Sequence, residues 1–164
     1  MELVDKNITW MDFDLLENFM VDVFEGLGVP EDEAKICADV LITADKHGID
    51  SHGVSRLKPI YYDRINLGIQ NPITKFEIVK EGPTTAVVDG NHGMGMVIGK
   101  KAMDLAIEKA KKGVYTEKSL DNLPSKFKND FFHKDGNQYI IDNKIKNCVK
   151  FKKMDLLKDD YPKN

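Results

Sequence analysis

Apolar residues recur at helical spacing in two stretches near the start of the chain. Leu15, Leu16, Phe19, Met20, Val23 and Phe24 fall three and four apart, which puts them on one stripe of an amphipathic helix. Thr9-Trp10-Met11-Asp12 resembles a capping box with Asp in place of Glu, and Gly26 and Gly28 close the segment. Pro30 followed by Glu31, Asp32 and Glu33 opens a second helix, because a fixed φ and negative charge both suit a helix's first turn. Its apolar stripe is Ile36, Cys37, Val40, Leu41 and Ala44, and Gly48 stops it.

A third helix is predicted behind Asp50 or Ser51 as N-cap, turning Val54, Leu57, Ile60, Tyr61 and Ile65 inward until Leu67-Gly68. Pro59 must kink it or confine it to a short first turn. The period then changes. Phe76 to Lys80 and Thr84 to Asp89 read as strands joined by a turn at Gly82-Pro83, giving a β-hairpin. After a glycine-rich bend at Gly90 to Gly95, the spacing of Val97, Ile98, Ala102, Leu105, Ala106 and Ala110 predicts a long helix ending at Gly113.

Beyond Val114 the composition shifts. The overall charge of −3 divides into −6 over residues 1–114 and +3 over residues 115–164, and the last fifty residues contain no alanine. Two regions are therefore expected, 1–114 and 115–164. In the second, Asp135-Gly136 makes a hairpin turn between Phe131-Phe132-His133 and Gln138 to Ile141, and Ile145 to Phe151 is a candidate third strand of a small meander. The fold class expected is α+β: N-terminal helices, a hairpin, a long helix and this tail.

The net charge leaves no basic footprint for nucleic acid. Apolar runs fall short of a membrane span, and Met1 to Asp5 lacks the regions of a signal peptide, so a cytoplasmic location is expected. Cys37 and Cys148 stand apart without metal-ligand spacing and read as reduced thiols.

Gly48-Ile49-Asp50-Ser51-His52-Gly53-Val54-Ser55-Arg56 concentrates the chemistry. On a helix, His52 and Arg56 would rise from one face. An imidazolium can protonate a developing alkoxide, and a guanidinium can hold a carboxylate through two parallel hydrogen bonds. Arg56 and Arg64 are the only arginines among 24 basic residues, so an arginine here points to a planar fork that lysine cannot replace.

Two other signals are set aside. Gly93-Met94-Gly95-Met96-Val97-Ile98-Gly99 resembles a dinucleotide fingerprint, but its third glycine is one place late; a tight turn is the better reading, with His92 as a surface turn residue. His47 and His52, five apart, do not share a helical face as metal ligands would.

Residues from about 27 to 113 resemble the N-terminal part of the second malate/L-lactate dehydrogenase family. The likeness is carried by Leu27-Gly28-Val29-Pro30, Ala44 to Arg56, Thr85-Ala86-Val87-Val88-Asp89-Gly90 and Gly99-Lys100-Lys101-Ala102-Met103, four stretches in order. The resemblance implies a fold that is not Rossmann and an NAD- or NADP-dependent homodimer interconverting small 2-hydroxy and 2-oxo acids. It implies His52 as proton donor, Ser51 as its relay partner and Arg56 as the clamp on the substrate carboxylate. Residues 115–164 depart from that pattern, so truncation or a frameshift is expected. The alternative function is a silent remnant acting only as a folded or self-associating scaffold.

Overall fold

The computed structural model describes residues 10–151. It is mixed helix and sheet, in keeping with the α+β expectation. The described residues divide into two compact units: 10–80 with 87–102, and 81–86 with 103–151.

In the first unit, helix α1 (Phe13–Gly26) is capped by Asp12, whose carboxylate accepts the amides of Asp14 and Leu15. Asp12 thus takes the capping role assigned to Thr9, which lies outside the described residues. Gly28, at φ +88°, turns the chain into Val29 and Pro30, and α2 (Glu31–Lys46) follows with three acids in its first turn. The buried face of α2 is Glu33, Ala34, Cys37, Ala38, Leu41 and Ile42. Val40, expected inside, is exposed, because the core lies along the Ala38 and Ile42 side of the helix.

Met20, Phe24, Cys37, Leu41, Ile42, Leu57, Met94 and Val97 form the centre of this unit's core. Each large aliphatic or aromatic side chain removed from water contributes about 1.5–3 kcal/mol. Phe24 meets Tyr61 edge to face at 5.6 Å, which ties the segment after the motif to α1.

The predicted third helix is not one regular helix. Asp50–His52 and Val54–Arg56 are two 3₁₀ turns broken at Gly53, followed by a π-helical turn over Leu57–Tyr62 and the short α3 (Asp63–Asn66). Neither Asp50 nor Ser51 caps it with a side chain. Pro59 supplies the physical reason for the irregular winding, since it has no N–H for an α-helical bond.

Strands β1 (Glu77–Glu81) and β2 (Ala86–Asp89) pair as expected, and the Gly82 amide closes their turn on the Thr85 carbonyl. Helix α4 (Gly95–Lys112) ends at Gly113, φ +63°. The boundary between the two units falls inside α4.

The second unit holds a three-stranded antiparallel sheet in the order β3-β5-β4: β3 (Val114–Thr116), β5 (Gln138–Ile141) and β4 (Phe132–Asp135). The expected hairpin is present, with Gly136 at φ +55° and Asp135 opposite Gln138. The third strand is not Ile145 to Phe151 but β3. Asp142 accepts the Lys144 amide and so caps α6 (Asn143–Lys146) where the strand was expected. Helix α5 (Ser125–Phe131) precedes β4, and the Asp142 amide bonds back to the Phe131 carbonyl. Lys109, nearly buried, is satisfied by the Glu81 carboxylate at 2.6 Å and the Gly82 carbonyl at 2.8 Å.

Candidate active site

The nine-residue motif is held from below by the last turn of α2. Asp45 Oδ2 accepts the Val54 amide at 2.8 Å, and a Cβ at Gly53 would overlap the Asp45 carboxyl group. Glycine at 53 therefore lets the backbone lie directly on that carboxylate. Ser55 Oγ donates to the Asp50 carbonyl at 2.6 Å, stitching the first 3₁₀ turn to the second.

Ser51, His52 and Arg56 meet by a route different from the one expected. Helical spacing does not align His52 and Arg56, because Gly53 interrupts the winding. Ser51 joins them: its Oγ lies 2.9 Å from His52 Nδ1, and its carbonyl accepts from Arg56 Nε at 2.5 Å. With Nδ1 beside the hydroxyl, the ring's other nitrogen, Nε2, has no hydrogen-bond partner among the described residues and is left to exchange a proton with a ligand. With Nε tied to the backbone, Arg56 keeps the two terminal nitrogens that make a bidentate fork. Ser51 and His52 are exposed and Arg56 is half-buried, so the group opens to solvent.

Tyr61 is the neighbour sequence reasoning did not single out. Burial pushes its phenol up, the nearby Cys37 adds to that, and the positive charges of Arg56 and Arg64 pull the other way. The phenol hydroxyl also lies 3.9 Å from Met96 Sδ. Asp45 was missed as well; a carboxylate five residues ahead of the first 3₁₀ turn and eight ahead of Gly53 was its only signal.

The glycine-rich bend does not fit a dinucleotide phosphate. A Cβ at Gly93 would press on Thr74 and on the Gly90 carbonyl, so the glycine serves packing within the chain. Thr74 Oγ1 also accepts the Met94 amide at 3.2 Å, which occupies a donor that a phosphate would need.

Residues 11–116 match the family model described as malate/L-lactate dehydrogenase. The chain belongs to the malate/L-lactate dehydrogenase family. It is 52% identical over 95 residues to L-sulfolactate dehydrogenase of Methanocaldococcus jannaschii, covering 58% of this chain and 27% of that protein. It is 51% identical over 109 residues to malate dehydrogenase of Pyrococcus abyssi, covering 66% of this chain and 30% of the relative. The solved malate dehydrogenase of Pyrococcus horikoshii OT3 superposes with a TM-score of 0.63 at 46% identity, over 70% of this chain and 33% of that one. The chain thus spans about a third or less of the relatives it matches. Residues 88–164 are also similar to a second model, the SAM-binding domain of CheR methyltransferase, which overlaps the first across α4.

Proposed function

We propose that this chain carries the acid-binding and proton-donating part of an NAD(P)-dependent dehydrogenase that interconverts 2-hydroxy and 2-oxo acids. The observation that carries the reading is the Ser51 bridge, which places a histidine and an arginine on one residue's hydroxyl and carbonyl. Arg56 holds the substrate carboxylate. His52 gives its Nε2 proton to the C2 oxygen as that oxygen gains charge, and Ser51 fixes the ring through Nδ1. In the reverse direction the same nitrogen accepts the hydroxyl proton.

The dehydrogenase names of the relatives support a small hydroxy acid as substrate. Acid binding and proton transfer are the steps assigned to this chain; the hydride source, NAD or NADP, is assigned to none of its described residues. A non-Rossmann fold, a homodimer and a cytoplasmic location complete the proposal, and exposed Leu15 and Phe19 on α1 support association.

Calorimetric titration with L-malate tests the reading. Saturable binding that weakens about tenfold or more in Arg56→Ala supports it. Equal binding by both proteins, or none at tens of millimolar acid, rejects it.

A second reading applies to residues 103–164, on the strength of the CheR match. A cleft of about 380 Å³ there is lined by Lys111, Tyr115, Ile141, Asn143, Lys146 and Phe151. Under this reading it forms part of an S-adenosylmethionine site. Titration with S-adenosylhomocysteine tests it, and absence of saturation rejects it.

A further inference from the structure

His92 stands where two clefts of the first unit meet, and neither cleft is lined by Ser51, His52 or Arg56. The larger, of about 380 Å³, has Ile60, Tyr61, Arg64, Gln70, His92 and Gly95 on its walls. The other, of about 330 Å³, has Asn71, Lys75, Asn91 and His92. No acidic side chain lines either one. Arg64 and His92 are exposed, and neither side chain has a hydrogen-bond or ion-pair partner among the described residues. Asp63, next to Arg64 in sequence, is instead held by Lys58 Nζ at 2.9 and 3.1 Å. Three basic residues from separate segments thus border one stretch of surface that holds no acid to neutralise them.

The loop that carries His92 is pinned to the segment around Asn71. The Asn71 amide donates to the His92 carbonyl at 2.9 Å, and its Nδ2 donates to the Asn91 carbonyl at 2.6 Å. Gln70 Nε2 adds a longer bond to the Gly93 carbonyl at 3.4 Å. Asn91 and His92 both have positive φ, +49° and +56°, a strained conformation that folds concentrate in segments that hold ligands. Asn91 Nδ2 is buried and has no partner among the described residues, so the loop keeps one donor uncommitted next to His92 in sequence. Gly95 is a different case from Gly93. Its φ is not positive and a Cβ there would meet nothing within 4 Å, so neither backbone conformation nor packing calls for glycine. It leaves the start of α4 bare on the cleft wall, and α4 has no acid in its first turn.

We propose that the cleft between Arg64 and His92 is a second ligand site, which takes a phosphate group, either free or carried by a small phosphorylated metabolite. Side chains hold the group: Thr74 already takes the Met94 amide and Gly93 is packed against Thr74, so the backbone of the bend is committed. The Arg64 guanidinium offers a planar fork to two phosphate oxygens, and the His92 ring donates to a third. A metabolite's organic part would lie against Ile60 and Tyr61. The cleft volume falls within the range of about 300–1,000 Å³ that small-molecule sites occupy. Binding here is independent of the acid held at Arg56, since the two groups of residues have no member in common.

The test uses the full chain with ¹³C-labelled histidine rings. The His92 signal is assigned by its loss in His92→Asn, because asparagine tolerates the same φ. Inorganic phosphate, glycerol 3-phosphate, glycerol and sodium chloride are titrated, the salts at constant ionic strength. The His92 signal should shift saturably with the two phosphates and stay in place with glycerol and chloride. In Arg64→Gln, whose unchanged melting temperature would report an intact fold, the midpoint should rise about tenfold. In Arg56→Ala it should not move. A lower midpoint for glycerol 3-phosphate than for inorganic phosphate would support the site and identify a phosphomonoester as its ligand; equal midpoints would support it and identify free phosphate.

A His92 signal that does not saturate by tens of millimolar phosphate, or that chloride moves equally, would overturn the site. So would an unchanged midpoint in Arg64→Gln. A midpoint that rises in Arg56→Ala would put the phosphate among the motif residues and overturn the assignment to a separate cleft.

Discussion

Asp45 and Val54 are joined by a 2.8 Å bond from the Val54 amide to the Asp45 carboxylate, and this bond sets the height of the whole motif above α2. It fixes the break between the two 3₁₀ turns, and with it the position from which Ser51 can reach both His52 and Arg56. Gly53→Ala would drive a methyl group into that carboxylate. The expected loss is about 1–3 kcal/mol of stability, together with weaker acid binding, read by thermal melting and by titration. Asp45→Asn keeps the shape and should lose less of both.

Glu33 is buried yet charged. Burial alone would raise its pKa, but hydrogen bonds from Lys101 and Thr74 outweigh that, and the net shift is below the ordinary 4.5. Lys101 Nζ lies at 2.8 Å and the Thr74 amide at 3.2 Å. A carboxyl group whose folded pKa is depressed stabilises the fold above its unfolded pKa, and that contribution disappears as pH falls through the folded value. Glu33→Gln should therefore cost about 2 kcal/mol near neutrality. The difference from the unsubstituted chain should close below pH 4.5, as followed by denaturant melts across pH.

The two thiols should differ sharply in reactivity. Cys37 sits in the core, where burial pushes its thiol up to about 12 and the Glu33 charge adds to the effect; Cys148 is exposed. At pH 8 roughly one Cys37 in ten thousand would be thiolate. A disulfide-exchange reagent should label one thiol per native chain and two after denaturation. Two rapid equivalents in the native protein would contradict the placement of Cys37.

Much of the fold is legible in the spacing of apolar residues. Helices α1 and α4, the β1–β2 pair and the Asp135-Gly136 turn follow from period and turn chemistry, which act locally, but the buried stripes are narrower than the spacing predicts: Leu15 and Phe19 of α1 and Ala106 and Ala110 of α4 are exposed. The misreadings have local causes too. Val114-Tyr115-Thr116 is too short to announce a strand, although Val, Tyr and Thr all favour one, and its pairing with β5 is a long-range event. Ile145 to Phe151 has strand-like apolar content, but the Asp142 cap wins locally.

At the candidate site, the residue types were readable and the geometry was not. Helical spacing was expected to align His52 with Arg56, whereas Gly53 breaks the turn and Ser51's own backbone carbonyl makes the connection. A backbone acceptor leaves no mark in sequence.

The central claim is that Ser51 couples a proton donor to an acid clamp, and the His52 ring reports on it most directly. Its NMR signals, followed during titration with L-malate in the unsubstituted chain and in Ser51→Ala and Arg56→Ala, should shift saturably in the first. In Arg56→Ala the midpoint should move to about tenfold higher acid, and in Ser51→Ala the starting signal itself should differ because the Nδ1 partner is gone. A His52 signal that ignores malate, or that responds identically in all three proteins, would contradict the account.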